Sequence, residues 1–361
     1  MARPSGMRLE PKTVFVLGAG FTKAFLPEAP LLVDDYDASS ILLEFDAFPV
    51  ARAALEGEID NLNPWSVDLE RLMTRASAGM PYDSGAGSSE ELALLFSRLK
   101  QAFEARLESA RTGEVHEEDL AAFASLCVDR SITCITFNYD DLLDEALWNT
   151  KPITTATGMP HWNPNGGYGF FCRPAWSMSG NVPAVRMDSV AVHLLKLHGS
   201  VNWRVRLGYS SPLSPDALVH SEGWFPRLGV DDPNAEELER HMEPSPFLVP
   251  PILTKDALVR EPILRLIWTR SFAALRRADL VVFVGYSFPV TDIAARFLFT
   301  EAIRPETRLQ VVNYARTKTS QVALRGRYRE ALDMQHHQFT FEDALEWSRR
   351  LTGKYLRASS S

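Results

Sequence analysis

Four polar or glycine-bearing segments, far apart in the chain, each stand directly after an apolar run of strand length. Gly18-Ala19-Gly20-Phe21-Thr22 follows Val14 to Leu17, and Thr136-Phe137-Asn138-Tyr139-Asp140 follows Ile132 to Ile135. Lys196-Leu197-His198-Gly199-Ser200 follows Val192 to Leu195, and Gly285-Tyr286-Ser287 follows Leu280 to Val284. Short continuous apolar runs closed by turn residues read as strands buried on both faces, as in a parallel sheet. Ligands of such sheets bind beyond the carboxyl ends of the strands. The chain is therefore expected to be α/β, a Rossmann-like parallel sheet of about six strands. A glycine turn, an Asn/Asp pair and a histidine should gather at one edge of it.

The rest of the chain fits around those strands. Strands are expected at 13–17, 132–137, 191–197, 280–284, 308–313 and 336–341. Helices are expected near 20–26, 38–57, 66–78, 90–111, 140–148, 257–277, 290–302 and 317–332, from apolar positions at helical spacing. Residues 34–125 read as a helical insertion over the cleft, interrupted by a Gly/Ser-rich loop at Met80 to Ser89. Residues 150–190 and 208–247 read as long loop insertions. The whole of 1–361 is taken as a single domain.

Composition narrows the function classes. Of 361 residues, 45% are hydrophobic and 23% charged, within the ordinary globular range. The formal net charge of −8 gives no global attraction to nucleic acid or an anionic membrane. Arg325, Arg327 and Arg329 form at most a local patch, with a solvated helix face as the plain alternative. No apolar run reaches the length of a membrane span, and the start lacks the apolar core of a signal peptide, so a soluble cytoplasmic protein is expected. The three cysteines, Cys127, Cys134 and Cys172, include no Cys-x-x-Cys pair. A closed structural zinc site needs four ligands, so no zinc is expected. Asp60, Asp68 and Glu70 are too scattered for a metal cluster and read as a solvated helix face.

Gly18 and Gly20 allow backbone N–H groups to approach a phosphate at a helix start. A structural turn explains them equally, because the third glycine of a dinucleotide fingerprint is replaced by Lys23. Asp34, Asp35 and Asp37 fall near the spacing of a ribose-binding acid. His198 differs from the other seven histidines in standing in a Gly-Ser turn after a buried strand. Its ordinary pKa near ~6.5 suits a general base or an orienting group. Asn138 either closes its strand as a turn residue or holds a water and a hydroxyl through its amide. Asp140 is a binding carboxylate, a helix cap, or both. Phe21 and Tyr286 line a wall or simply pack.

Taken in order, these segments resemble the sirtuin (silent information regulator) family. Gly18-Ala19-Gly20-Phe21-Thr22 is similar to its Gly-Ala-Gly-x-Ser, and Thr136-Phe137-Asn138-Tyr139-Asp140 to its Thr-Gln-Asn-Ile-Asp. His198-Gly199 is similar to its catalytic His-Gly, Gly285-Tyr286-Ser287 to its Gly-Thr-Ser, and Val312-Asn313 to its Ile-Asn. Gly285-Tyr286-Ser287-Phe288-Pro289-Val290-Thr291-Asp292 looks closest to the divergent bacterial branch used in anti-phage defence. The resemblance implies a sirtuin-type sheet and NAD as substrate, its nicotinamide–ribose bond hydrolysed to nicotinamide and ADP-ribose. It implies Asn138 and His198 as catalytic, and Gly18, Ala19, Gly20, Phe21, Thr22, Phe137, Asp140, Gly285, Ser287 and Asn313 as NAD-binding. Asp140 would receive the nicotinamide carboxamide and Asn313 the adenosine portion. The family's zinc ribbon and substrate-pairing Val-x-Pro are both missing; Phe288-Pro289-Val290-Thr291 is expected to begin a helix. That disfavours a protein deacylase, the alternative reading beside a non-catalytic NAD or ADP-ribose sensor. A homo-oligomer is implied, acting alone or beside a partner such as a HerA-type ATPase or a short Argonaute.

Overall fold

The computed structural model describes residues 9–31, 41, 44–60, 63–83, 87–110, 112–150, 162, 164–170, 173–174, 192–205, 218–220, 246–253, 260–335 and 338–359. Most of the two expected loop insertions, and Asp34, Asp35, Asp37 and Cys172, lie outside the described residues. In chain order the elements begin β1 (Thr13–Leu17), α1 (Ala19–Phe25), α2 (Pro49–Glu58), β2 (Ile59–Asp60), β3 (Asn63–Val67), α3 (Leu69–Ser77), α4 (Ser88–Ala110) and α5 (Glu117–Asp129). Then come β4 (Thr133–Thr136), α6 (Leu142–Trp148), α7 (Pro164–Gly167), β5 (Arg173–Pro174), β6 (Leu194–Lys196), β7 (Trp203–Val205) and β8 (Leu218–His220). The chain closes with α8 (Pro262–Arg277), β9 (Leu280–Val284), α9 (Ile293–Ala302), β10 (Arg308–Val312), α10 (Lys318–Leu332), β11 (Phe339–Thr340) and α11 (Ala344–Ser359).

The main sheet has six strands in the order β11-β10-β9-β1-β4-β6, all parallel. Read by sequence within the sheet this is 3-2-1-4-5-6 from the β6 edge, the doubly wound Rossmann order. The order reverses between β1 and β9, so the ligand crevice of this topology falls at their carboxyl ends. Alternation along the strands supplies two apolar faces. Phe15 packs with Phe123 of α5 and Trp347 of α11, at centroid separations of 5.5 and 5.7 Å. Val16 pairs in register with Phe283, which points to the other face and meets Phe299 of α9 and Tyr328 of α10. Two layers of helices thus cover a sheet whose central strands are wholly buried.

A second core lies inside the expected insertion. Ile41, Phe45, Leu55, Leu72, Met73, Leu95, Leu99 and Phe103 pack together from α2, α3, α4 and the segment before them. The end of the 34–125 span behaves differently: Leu120, Phe123 and Ala124 of α5 belong to the main core. The helix expected over 38–57 is interrupted near Phe48, and α2 starts at Pro49, where a proline without N–H fits the first helical turn. The helix expected from 66 starts at Leu69, because Asp68 accepts from the Arg71 N–H at 3.1 Å as its cap. Likewise α9 starts at Ile293, after its cap Asp292, and not at Phe288, which has φ of 53°. No element is expected from the sequence after 341, yet α11 seats Trp347 and Leu351 in the main core. No helix among the described residues is long and apolar enough to cross a membrane.

Two backbone turns interlock at the crevice. Gly18 N–H donates to Val284 O and Gly20 N–H to Gly285 O, each at 3.0 Å. Gly285 has φ of 63°, and a Cβ there would lie 2.1 Å from Phe21 N. Gly285→Ala is expected to cost about 2–4 kcal/mol, the sum of a left-handed non-glycine residue and a backbone clash. Gly326→Ala, inside α10 with nothing within 4 Å of the new carbon, should instead stabilise by up to about 1 kcal/mol. Thermal melts of the two variants giving equal shifts would contradict this account.

Candidate active site

The carboxyl ends of β1, β4, β6 and β9 carry the segments that the sequence singles out. Asn138 sits two residues past β4 and is buried. Its Nδ2 donates to Gly18 O at 3.0 Å and to Thr22 Oγ1 at 2.8 Å. Thr22 Oγ1 in turn donates to Asp140 Oδ2 at 2.7 Å. One chain of hydrogen bonds therefore joins the glycine turn, the α1 threonine and the Asn/Asp pair. Asp140 also caps: its Oδ1 accepts from Leu142 N–H at 3.2 Å at the start of α6. Both amide protons of Asn138 are committed, so Oδ1 is the atom through which it can hold a further donor.

His198 is buried at the end of β6. Its ring lies beside those of Phe137, at 5.4 Å, and Tyr139, at 6.0 Å, the two sequence neighbours of Asn138. Gly199 permits this turn with φ of 78°; a Cβ there would lie 2.3 Å from Phe247 O. Ser200 Oγ and Val201 N–H both donate to Tyr139 O, at 3.2 and 3.0 Å. The histidine turn and the Asn138 turn are therefore tied through backbone. Phe137 stacks on Tyr286 at 4.6 Å, which extends the aromatic wall to the β9 turn.

Several residues occupy roles beyond or beside those expected. The Phe21 ring is in the main core against Phe25 and Phe123, at 4.8 and 5.1 Å, so it packs and forms no wall. Gly18 and Gly20 spend their N–H groups on the β9 turn, as described above. Ala19 and Ser287 are exposed. Asn313 Nδ2 donates to Tyr286 O at 2.9 Å, and Tyr328 OH donates to the same oxygen at 2.8 Å. Asn313 thus braces the β9 turn. Arg327 Nε donates to Ser287 O at 2.8 Å, while Arg325 lies over the Phe341 ring, so neither is only a solvated cation.

Two clusters were not read from the sequence. Beneath Asp140, Lys196 Nζ donates to the Asp140 carbonyl oxygen and pairs with Asp144 at 3.1 Å, both side chains almost wholly buried. Tyr168 OH donates to Asp144, and Asn202 Nδ2 to Tyr168 OH at 3.4 Å. Burial pushes the Asp144 carboxyl above the ordinary carboxylate range, against the pull of Lys196. A lysine inside an apolar strand was the available signal. At the rim, Glu70 of α3 accepts from Thr291 Oγ1 at 3.0 Å, and Tyr286 OH donates to Asp292 at 3.4 Å. Burial, and then the Asp292 and Glu70 carboxylates, raise the Tyr139 phenol above its ordinary range. Glu70 therefore links α3 to the segment after β9.

No group of three or more His, Cys, Asp or Glu positioned to hold a metal occurs among the described residues. Cys127 and Cys134 are buried in the main core with their sulfurs 3.8 Å apart.

No family model and no curated protein matches the chain. Solved structures do resemble it at low identity. One is a Sir2 homologue–NAD complex, 13% identical, covering 97% of this chain and 90% of that one, with a TM-score of 0.45. Another is a mutant Sir2 homologue in complex with ADP-ribose, 13% identical, covering 96% and 93%, with a TM-score of 0.44. A third, Sir2Tm bound to a propionylated peptide, is 15% identical, covers 95% and 92%, and has a TM-score of 0.37. At such identities the likeness carries no statement about chemistry.

Proposed function

We propose that the chain is an NAD hydrolase, cleaving the nicotinamide–ribose bond to give nicotinamide and ADP-ribose. The observation that carries the reading is the convergence of Asn138, Thr22, Asp140 and His198 at the switch-point edge of the sheet. Those residue types, in the order of the sirtuin motifs, suit N-glycosidic cleavage, whose transition state places positive charge on the sugar.

In this reading Asn138 Oδ1 accepts a hydrogen bond from the attacking water, its amide held rigid by Gly18 and Thr22. The bond from the ribose carbon to the pyridinium nitrogen breaks, and its electron pair stays on nitrogen as neutral nicotinamide. Water oxygen bonds to the same carbon, and the proton it loses passes to His198. Aromatic walls from Phe137, Tyr139 and Tyr286 limit the entry of other water. In this reading Asp140, fixed by Thr22 and Lys196, accepts from the nicotinamide carboxamide. Gly285, Ser287 and Asn313, with Ala19 and Gly20 beside them, set the edge along which the remaining nucleotide would lie.

A drain on NAD is harmful unless gated. We infer that the activity serves anti-phage defence and is released by assembly or by a partner. The purified chain, alone and with the product of its neighbouring gene, is incubated with NAD and then with NAD plus an acetylated peptide. Release of nicotinamide and ADP-ribose without peptide supports hydrolysis. Turnover only with peptide would establish a deacylase, and binding without turnover in every preparation a sensor.

A further inference from the structure

The opposite end of the sheet, where the strands begin, holds a cavity of about 350 Å³. It lies between the leading residues of β1, β4 and β6 and one face of α8. Lys12, His193, Arg270 and Arg277 line it, and no Asp or Glu does among the described lining residues. In a chain of net charge −8, three permanent cations and a histidine around one hollow are a local reversal of sign.

The hollow is built by a helix pattern. Arg270, Ala273, Ala274 and Arg277 recur at i, i+3, i+4 and i+7, so they share one face of α8. The two alanines keep the middle of that face low, and the arginines stand on either side of it. Both arginines are held. Arg277 Nε donates to Ala273 O at 3.0 Å, leaving the terminal nitrogens as its outward donors. The Arg270 stem packs over Gly169, where an added Cβ would lie 2.9 Å from its Cδ. Two carboxylates on the described flanking segments are turned to other cations: Glu10 pairs with Arg308, and Asp279 lies 3.9 Å from Arg304.

We propose that this cavity binds a phosphorylated small molecule. Arg270, Arg277 and Lys12 hold the phosphate, and the uncharged part of the ligand rests on Val14, Leu195 and the two alanines. Guanidinium forks match phosphate oxygens in geometry as well as charge, and the volume is that of an ordinary small-ligand site. Because the cavity sits at the far ends of β1 and β4 from Gly18 and Asn138, the proposal stands whether or not the chain hydrolyses NAD.

Titration calorimetry on the full chain tests it, with inorganic pyrophosphate and ribose 5-phosphate as probes and ribose as the uncharged control. Saturable binding of a phosphate probe at one per chain is expected, weakened at least 10-fold by Arg277→Gln and by Arg270→Gln. Arg277 is exposed, so its variant keeps the fold even if Arg270→Gln disturbs the Gly169 contact; circular dichroism checks both. Failure of both phosphate probes to bind at millimolar concentration would overturn the proposal. So would binding that both Arg277→Gln and Arg270→Gln leave intact, which would place the phosphate outside this cavity.

Discussion

Asn138→Ala is expected to lower NAD turnover by about 10²-fold or more while NAD still binds, and His198→Ala to do the same. The asparagine effect follows from its wiring. Removing the amide deletes the acceptor proposed to hold the water and also leaves Gly18 O and Thr22 Oγ1 without their donor. Asn138→Asp separates these losses, since it keeps an acceptor but cannot donate to Gly18 O. It should turn over no better than the alanine variant if the hydrogen bonds that fix the side chain matter most. The histidine effect is that of a missing base, so it should shrink as pH rises and hydroxide takes over the role. Residues that act as a unit are non-additive, and the double variant should be little slower than either single one. Single-turnover measurements on variants shown to be folded decide the matter. Parent-like rates in a folded Asn138→Ala or His198→Ala protein would remove that residue from the mechanism.

Lys196→Met should destabilise the protein by about 3–5 kcal/mol, the usual consequence of stripping a buried carboxylate of its cation. It also removes the donor to Asp140 O, so the Asn138 turn loses its support from below. The loss should depend on pH with a definite sign. Without Lys196, burial and the Asp140 charge are opposed only by the Tyr168 hydrogen bond, and the folded pKa of Asp144 rises further above the unfolded value. Such a group adds stability below its unfolded pKa and loses it as pH rises through the folded one. The variant should therefore be closer to the parent at acid pH than at pH 8, as read from denaturant melts at both. Replacing both partners, Lys196→Met with Asp144→Leu, should recover much of the deficit, because no charge is then left buried. A single variant equally stable at all pH values would mean that the pair is solvated.

Strands and the order of the polar turns were legible because each central strand is apolar on both faces and stops at a residue of special geometry. Val14 to Leu17 before Gly18, and Leu280 to Val284 before Gly285, are of this kind. What the glycines do was not legible. Sequence leaves open N–H groups directed at a ligand or a structural turn, and Gly18 and Gly20 donate to the carbonyls of Val284 and Gly285. Only the register of β1 against β9 reveals that, and register is a long-range property. The same limit hid the Lys196–Asp144 pair, whose members are 52 positions apart, and the reach of Glu70 to Thr291 across 221. The last helix was missed for another reason. Ala344, Leu345, Trp347, Ser348, Leu351 and Thr352 make a narrow buried stripe among charged or polar neighbours, and its partner Phe123 lies in a helix within the expected insertion span.

The interlocked turns after β1 and β9 have a thermodynamic corollary. Backbone that is already pinned, with Gly20 N–H on Gly285 O and no room for a methyl group between them, has little entropy left to surrender when a guest arrives. That floor should present the same contour empty or filled. Adaptation to the size of the guest then falls to the opposite wall, where Tyr139 packs on Phe103 of the smaller core beside His198 and Glu70 joins α3 to Thr291 beyond β9. Selectivity among molecules sharing one head group would accordingly be decided by how far the smaller core can rock, and amide exchange in α3 would report it.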